Sequence, residues 1–188
     1  MAFIRKSTAT PVKLRLEQHF RATSNAELLS VEDLLALARA RHIETTPLDV
    51  HALTSALGID LLCIPMDDEV SGELNYDEGS NTWLIKVNAL HHPNRQRFTI
   101  AHELAHFSRH RFGRKGFVDQ NFFRNGDLNP METEANRFAS ELLMPETEFR
   151  SAANRLGGKI ESIAKHFHVS ALAVRVRAKI LGMKGHGL

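Results

Sequence analysis

The sequence has one cysteine, one tryptophan and one tyrosine in 188 residues. A single Cys63 cannot close an internal disulfide, so a small secreted scaffold held by cross-links is excluded and a reducing compartment is the natural setting. There is no apolar run of the roughly 18–20 residues that a bilayer-crossing helix needs, and the opening MAFIRKSTATPVKLRLEQHF has no apolar core of a secretory signal. A soluble, cytoplasmic protein without a membrane partner is expected. Charge of one sign is also lacking, since 24 Lys and Arg nearly balance 22 Asp and Glu for a net +2. No internal repeat or low-complexity tract is visible, and at 43% hydrophobic and 24% charged the composition excludes collagen-like and wholly disordered chains.

What the chain has in excess is histidine, eleven copies in all. The charge is uneven as well. Residues 60–80 carry seven acidic side chains and no Lys or Arg, whereas residues 150–188 carry eight Lys or Arg against the single Glu161. Solvated faces account for this in the simplest way; a basic C-terminal module for an acidic partner or nucleic acid is the sharper reading.

Periodicity and punctuation suggest a polar tail up to Pro11 and helices over residues 12–22 and 30–42, the second with a Ser30–Asp33 capping box. A third helix is expected with Thr46 as N-cap and Pro47 in its first turn, stopping at Gly58. IDLLCIP, SGELNYD and TWLIKVN then read as three short strands of an antiparallel meander, with Cys63 in the core. Pro93 opens a helix through His110, a long irregular stretch with three glycines follows to Asn129, and Asn129-Pro130 starts a helix through Leu143. Helices from Pro145, over 159–166 and over 171–181 complete the chain. The expected class is α+β: a small three-stranded antiparallel sheet, helices on both sides of it in sequence, and a C-terminal helix-turn-helix-like pair. The expected division is an N-terminal tail and helix (1–29), a central unit (30–145) and a C-terminal helical module (146–188).

The strongest chemical signal is His102-Glu103-Leu104-Ala105-His106 on the helix from Pro93. Four residues make about one turn, so both imidazoles leave the same face and can grip one divalent ion. Glu103 sits beside that face, placed to hold and deprotonate a water at the metal. A third ligand should come from another element. Glu132 meets this need, because Ala135, Asn136, Ala139 and Leu143 follow it on one helix face. The two alanines permit close helix approach, and Asn136 is placed to hydrogen-bond a ligand histidine and set its tautomer. Glu134 is the alternative ligand, but at about 100° per residue it lies off the face that carries Asn136.

Residues 95–106, RQRFTIAHELAH, and 132–145, ETEANRFASELLMP, resemble the two signature blocks of the ImmA/IrrE metallopeptidases, gluzincin-like enzymes. A weaker likeness extends over about residues 30–182. The resemblance implies Zn²⁺ held by His102, His106 and Glu132, with Glu103 as general base. It also implies a substrate class: members act by cleaving Xre-type helix-turn-helix repressors, relieving repression in mobile elements or stress responses.

Other residues admit plainer readings. His110 is open to ligation or to a place beside the site, but one straight helix rarely wraps a metal with three histidines, so a packed helix-end role is preferred. His91 and His92 read as surface residues at a helix entrance, and Arg95 and Arg97 as ordinary salt-bridge formers. Tyr76 is a candidate oxyanion or substrate contact, against the plainer view of a half-exposed strand aromatic. In the C-terminal pair, Ile160, Ile163, Ala164 and Phe167 are expected to face Val169, Leu172, Val176 and Ile180, with His166 and His168 as turn residues. Arg175, Arg177 and Lys179 would supply modest phosphate affinity if the second helix met DNA, and it has no Asn or Gln for adenine. The competing function is therefore a DNA-associated regulator or toxin–antitoxin component that holds zinc without proteolysis.

Overall fold

The structure, a computed structural model, describes residues 28–112, 116–120 and 129–183; the helix expected over 12–22 lies outside the described residues. The elements run α1 (Val31–Ala40), α2 (Val50–Ala56), β1 (Ile59–Ile64), β2 (Val70–Asp77), β3 (Thr82–Asn88), α3 (Pro93–Arg109), β4 (Gly116–Gln120), α4 (Pro130–Leu143), α5 (Glu146–Arg155), α6 (Ile160–Phe167) and α7 (Ala171–Ile180). The class is α+β.

Local chemistry explains most boundaries. Ser30 Oγ accepts from the Asp33 amide at 3.2 Å while the Asp33 carboxylate accepts from the Ser30 amide at 2.8 Å, so the capping box opens α1 as its sequence promises. Its buried stripe is Leu34, Leu35, Leu37 and Ala38. The start of α2 differs from expectation: Asp49, not Thr46, is the N-cap, with its carboxylate accepting from the Ala52 amide at 2.9 Å. An aspartate nearer the helix outcompetes the threonine, because its anionic oxygen suits the positive helix end, and Thr46 and Pro47 are left in a turn. Gly58, at φ +71°, takes the left-handed conformation that ends α2.

The sheet corrects the expected three-stranded antiparallel meander. Among the described residues it has four strands, in the order β1-β3-β2-β4. β2 and β3 form an antiparallel hairpin in which Leu74 lies opposite Ile85, both fully buried. β1 instead runs parallel to β3, Ile59 opposite Trp83, and so occupies the far side of the hairpin. Alternation in a strand says which residues point inward and nothing about which neighbour it pairs with. As a result Cys63, expected in the core, lies exposed on a sheet edge. The fourth strand, β4, comes from the stretch read as irregular; it pairs antiparallel with β2, Phe117 opposite Leu74.

α3 packs across β2 and β3 and against α4. Ala101 and Ala105 of α3 and Ala135 and Ala139 of α4 are all fully buried, so the two helices meet through small side chains. The C-terminal helices dock on the start of α3: Asn94 Nδ2 donates to the Val169 carbonyl at 3.0 Å, and Arg97 donates to the carbonyls of His168 at 3.3 Å and Leu48 at 2.8 Å. Phe149 of α5 stacks on Phe167 of α6. The inner face of α7 is not the expected one. Val174, Arg177 and Ala178 are buried, whereas Leu172, Val176 and Ile180 are 43–50% exposed. Arg177 lies on this buried face with its guanidinium donating to the Met144 carbonyl at 2.9 Å, at the end of α4. No helix among the described residues is long and apolar enough to cross a membrane.

Candidate metal centre

Two helices carry the site. α3 starts with Pro93 in its first turn and His92 as N-cap, whose Nδ1 accepts from the Asn94 amide at 3.1 Å. It presents His102, Glu103 and His106 where the helix passes beneath the sheet, and all three are fully buried. α4 starts with Asn129, whose side chain accepts from the Met131 amide, and places Glu132 in its first turn.

The structure brings together His102, His106 and Glu132 as a group of potential metal ligands. His102 Nε2 lies 2.9 Å from His106 Nε2 and 3.1 Å from Glu132 Oε2, and His106 Nε2 lies 3.5 Å from Glu132 Oε1. Ligands at the usual zinc distances and tetrahedral angles sit about 3.3–3.4 Å apart, so the two imidazole nitrogens and the carboxylate are spaced as ligands of one ion would be. Their chemistry agrees. His102 Nδ1 faces Asn136 Oδ1 at 3.2 Å, which assigns the imidazole proton to Nδ1 and leaves Nε2 as a lone pair. That lone pair is directed at another imidazole nitrogen and a carboxylate, an arrangement that a cation at its centre would satisfy. The residues therefore fit a divalent ion. The Glu132 side chain is 34% exposed, so solvent reaches the centre from that side.

Glu103 lies against β2. A Cβ on Gly72 would come within 3.1 Å of Glu103 Oε1, 2.9 Å of the Lys86 carbonyl and 2.5 Å of Thr99 Cγ2. The missing side chain at residue 72 is what lets α3 approach the sheet with the glutamate between them. Gly72 did not stand out in the sequence, although a glycine inside a strand pattern is a recognised sign of close backbone approach. Phe117 of β4 was also missed, since its segment read as loop; its ring stacks on His106 with centroids 4.7 Å apart and planes 19° apart.

The remaining candidates lie elsewhere or do other things. Glu134, the alternative ligand, turns to Arg109 Nε at 2.9 Å and to His110 Nε2 at 3.4 Å. Arg109, and to a smaller extent His110, hold the Glu134 carboxyl below its usual range. Burial pushes the His110 imidazole down, with the bond to Glu134 acting against it. The Tyr76 hydroxyl hydrogen-bonds Asn81 beside the β2–β3 turn, and its ring packs edge-on against Trp83 at 5.4 Å. Neither of these contacts involves the candidate ligand group. Arg95 donates to Ser71 Oγ at 2.9 Å, and Arg97 donates to the carbonyls of His168 and Leu48.

The sequence profile of a peptidase family, M78, described as the IrrE N-terminal-like domain, matches residues 54–179. The chain belongs to this family. The matched span contains all of β1–β4, both helices that carry the candidate ligands and most of the C-terminal helices. A solved Mycobacterium tuberculosis transcriptional regulator superposes with a TM-score of 0.51 at 20% sequence identity, covering 90% of this chain. This likeness is one of fold, and the chain spans only 52% of that protein. No curated protein matches the chain significantly.

Proposed function

We propose that the chain is a zinc-dependent endopeptidase that cuts a partner protein, most fittingly an Xre-type helix-turn-helix repressor, and so relieves repression. One observation carries the reading: two buried Nε2 atoms and a half-open carboxylate converge on one point, with a further buried carboxylate, Glu103, on the adjacent residue of the same helix. A structural zinc site would be closed by a fourth protein ligand, whereas among the described residues this group has three and a wet side.

His102, His106 and Glu132 would hold the ion, which when bound supplies Lewis acidity to the scissile carbonyl and to water beside it. Glu103 takes a proton from that water as its oxygen forms a bond to the carbonyl carbon. It then returns the proton to the amide nitrogen as the C–N bond breaks. Asn136 keeps the His102 lone pair aimed at the centre. Among the described strands β4 is the edge on the side nearest His106, and an extended peptide can add to such an edge by backbone hydrogen bonds.

The competing reading as a DNA-associated regulator relies on the cations of α7. Arg177 is buried and bonded to Met144, which leaves Arg175 and Lys179 on the exposed surface of that helix. Two phosphate contacts give little affinity at physiological salt. The test is Glu103→Gln assayed with zinc and a candidate repressor. The variant should bind metal as the parent does and leave the repressor intact where the parent cleaves it; full cleavage by the variant removes Glu103 from the mechanism.

A further inference from the structure

α3 ends on a third imidazole, one turn past His106. His110 Nδ1 lies 3.0 Å from His106 Nδ1, with the ring centroids 5.1 Å apart. At 3.0 Å, one of two facing imidazole nitrogens must carry the hydrogen and the other must accept it. The far side of His110 decides which. Its Nε2 faces the Glu134 carboxylate, an acceptor, so the His110 proton sits on Nε2 and its Nδ1 is a lone pair. His106 is therefore the donor through Nδ1–H, which leaves its Nε2 unprotonated and aimed at His102 and Glu132.

We propose that His110 is a positioning residue for the metal centre: it accepts the Nδ1–H of His106, fixing the tautomer and the ring orientation that ligation requires, while Glu134 holds His110 in place. Arg109 secures Glu134 in turn through its 2.9 Å bond. The proposal rests on His102, His106 and Glu132 being the ligand set. Each ligand imidazole is then steered by a different acceptor, the Asn136 amide oxygen for His102 and a neutral imidazole for His106. Phe117 stacks on the face of His106, so the ring is restrained in its plane by one neighbour and about its axis by the other. Partners of this kind sharpen metal affinity because the free protein already presents the ligand in its bound form.

The test compares isosteres of His110 in the full chain. His110→Phe keeps the ring and loses the acceptor, while His110→Asn places an amide oxygen where Nδ1 stands. Zinc affinity is measured by competition with a chromophoric chelator and site geometry by the visible absorption of the Co²⁺-loaded protein. Melting in excess chelator reports folding. His110→Phe should bind zinc about 10–100-fold more weakly with an altered Co²⁺ spectrum, and His110→Asn should recover most of that loss. Wild-type affinity in His110→Phe, or equal weakness in both variants, overturns the proposal. Should His110→Phe not fold, Glu134→Ala at the more exposed position serves instead: a loss of about threefold or more supports the proposal, and none overturns it. Failure of the underlying ligand set shows separately, as equal zinc binding by the parent chain and His106→Ala.

Discussion

Replacing Gly72 with alanine should push α3 away from the sheet at Glu103, and the structure sets the size of the effect. The added methyl would meet Thr99 Cγ2 at 2.5 Å and the Lys86 carbonyl at 2.9 Å, where unstrained carbon contacts begin near about 3.5 Å. Neither neighbour yields cheaply, since Thr99 is β-branched and 1% exposed and the other atom is sheet backbone. Overpacking of this kind costs about 1–3 kcal/mol, and removing a glycine from a strand interior returns about 0.5–1 kcal/mol. A net loss of up to about 2.5 kcal/mol remains, which for a domain of this size lowers Tm by up to about 10 °C. Thermal melts of the metal-free protein measure it. Thr99→Ser deletes the 2.5 Å contact, so Gly72→Ala should cost less in that background than in the parent. A displaced Glu103 should also lower kcat by about tenfold or more while zinc affinity holds. An alanine variant as stable as the parent, with no coupling to residue 99, refutes the close-approach argument.

Other predictions concern the ends of the fold. Ser30→Ala removes one half of the α1 capping box and should cost about 1 kcal/mol at neutral pH, read by urea denaturation. The Ser30 hydroxyl and amide hold the Asp33 carboxyl below its ordinary value, so this stabilisation is present above the ordinary aspartate range and is lost as pH falls through the depressed folded value. The gap between the parent and Ser30→Ala should therefore narrow in acid. On α7, Val176→Glu should leave Tm within about 1–2 °C of the parent, whereas Ala178→Glu buries an unpaired charge and should unfold the C-terminal helices. Circular dichroism distinguishes the two, and the reverse ranking would mean that the helix is rotated as its hydropathy alone suggests.

The helices that carry the candidate metal centre were legible because their signals are local. Pro93, Asn129-Pro130 and the H-E-x-x-H spacing each act within a turn or two, and the Glu132–Asn136 face follows from 3.6-residue periodicity. Strand pairing was not legible. β1 is parallel to β3 and β4 is a strand at all only because β2 offers it hydrogen bonds, and both are decided by contacts distant in sequence. The same reason moved Cys63 to the surface and turned Arg177 inward in place of Leu172, Val176 and Ile180.

The amino-acid sequence by itself determined which side chains could serve as metal donors, since ligand chemistry and helical spacing are properties of short segments. Tertiary structure alone decided what surrounds it. Gly72 from β2, Phe117 from β4 and the His110–Glu134 contact between α3 and α4 reach the imidazoles only through chain folding, because a hydrogen bond or a stacked ring requires proximity in space that residue order does not record.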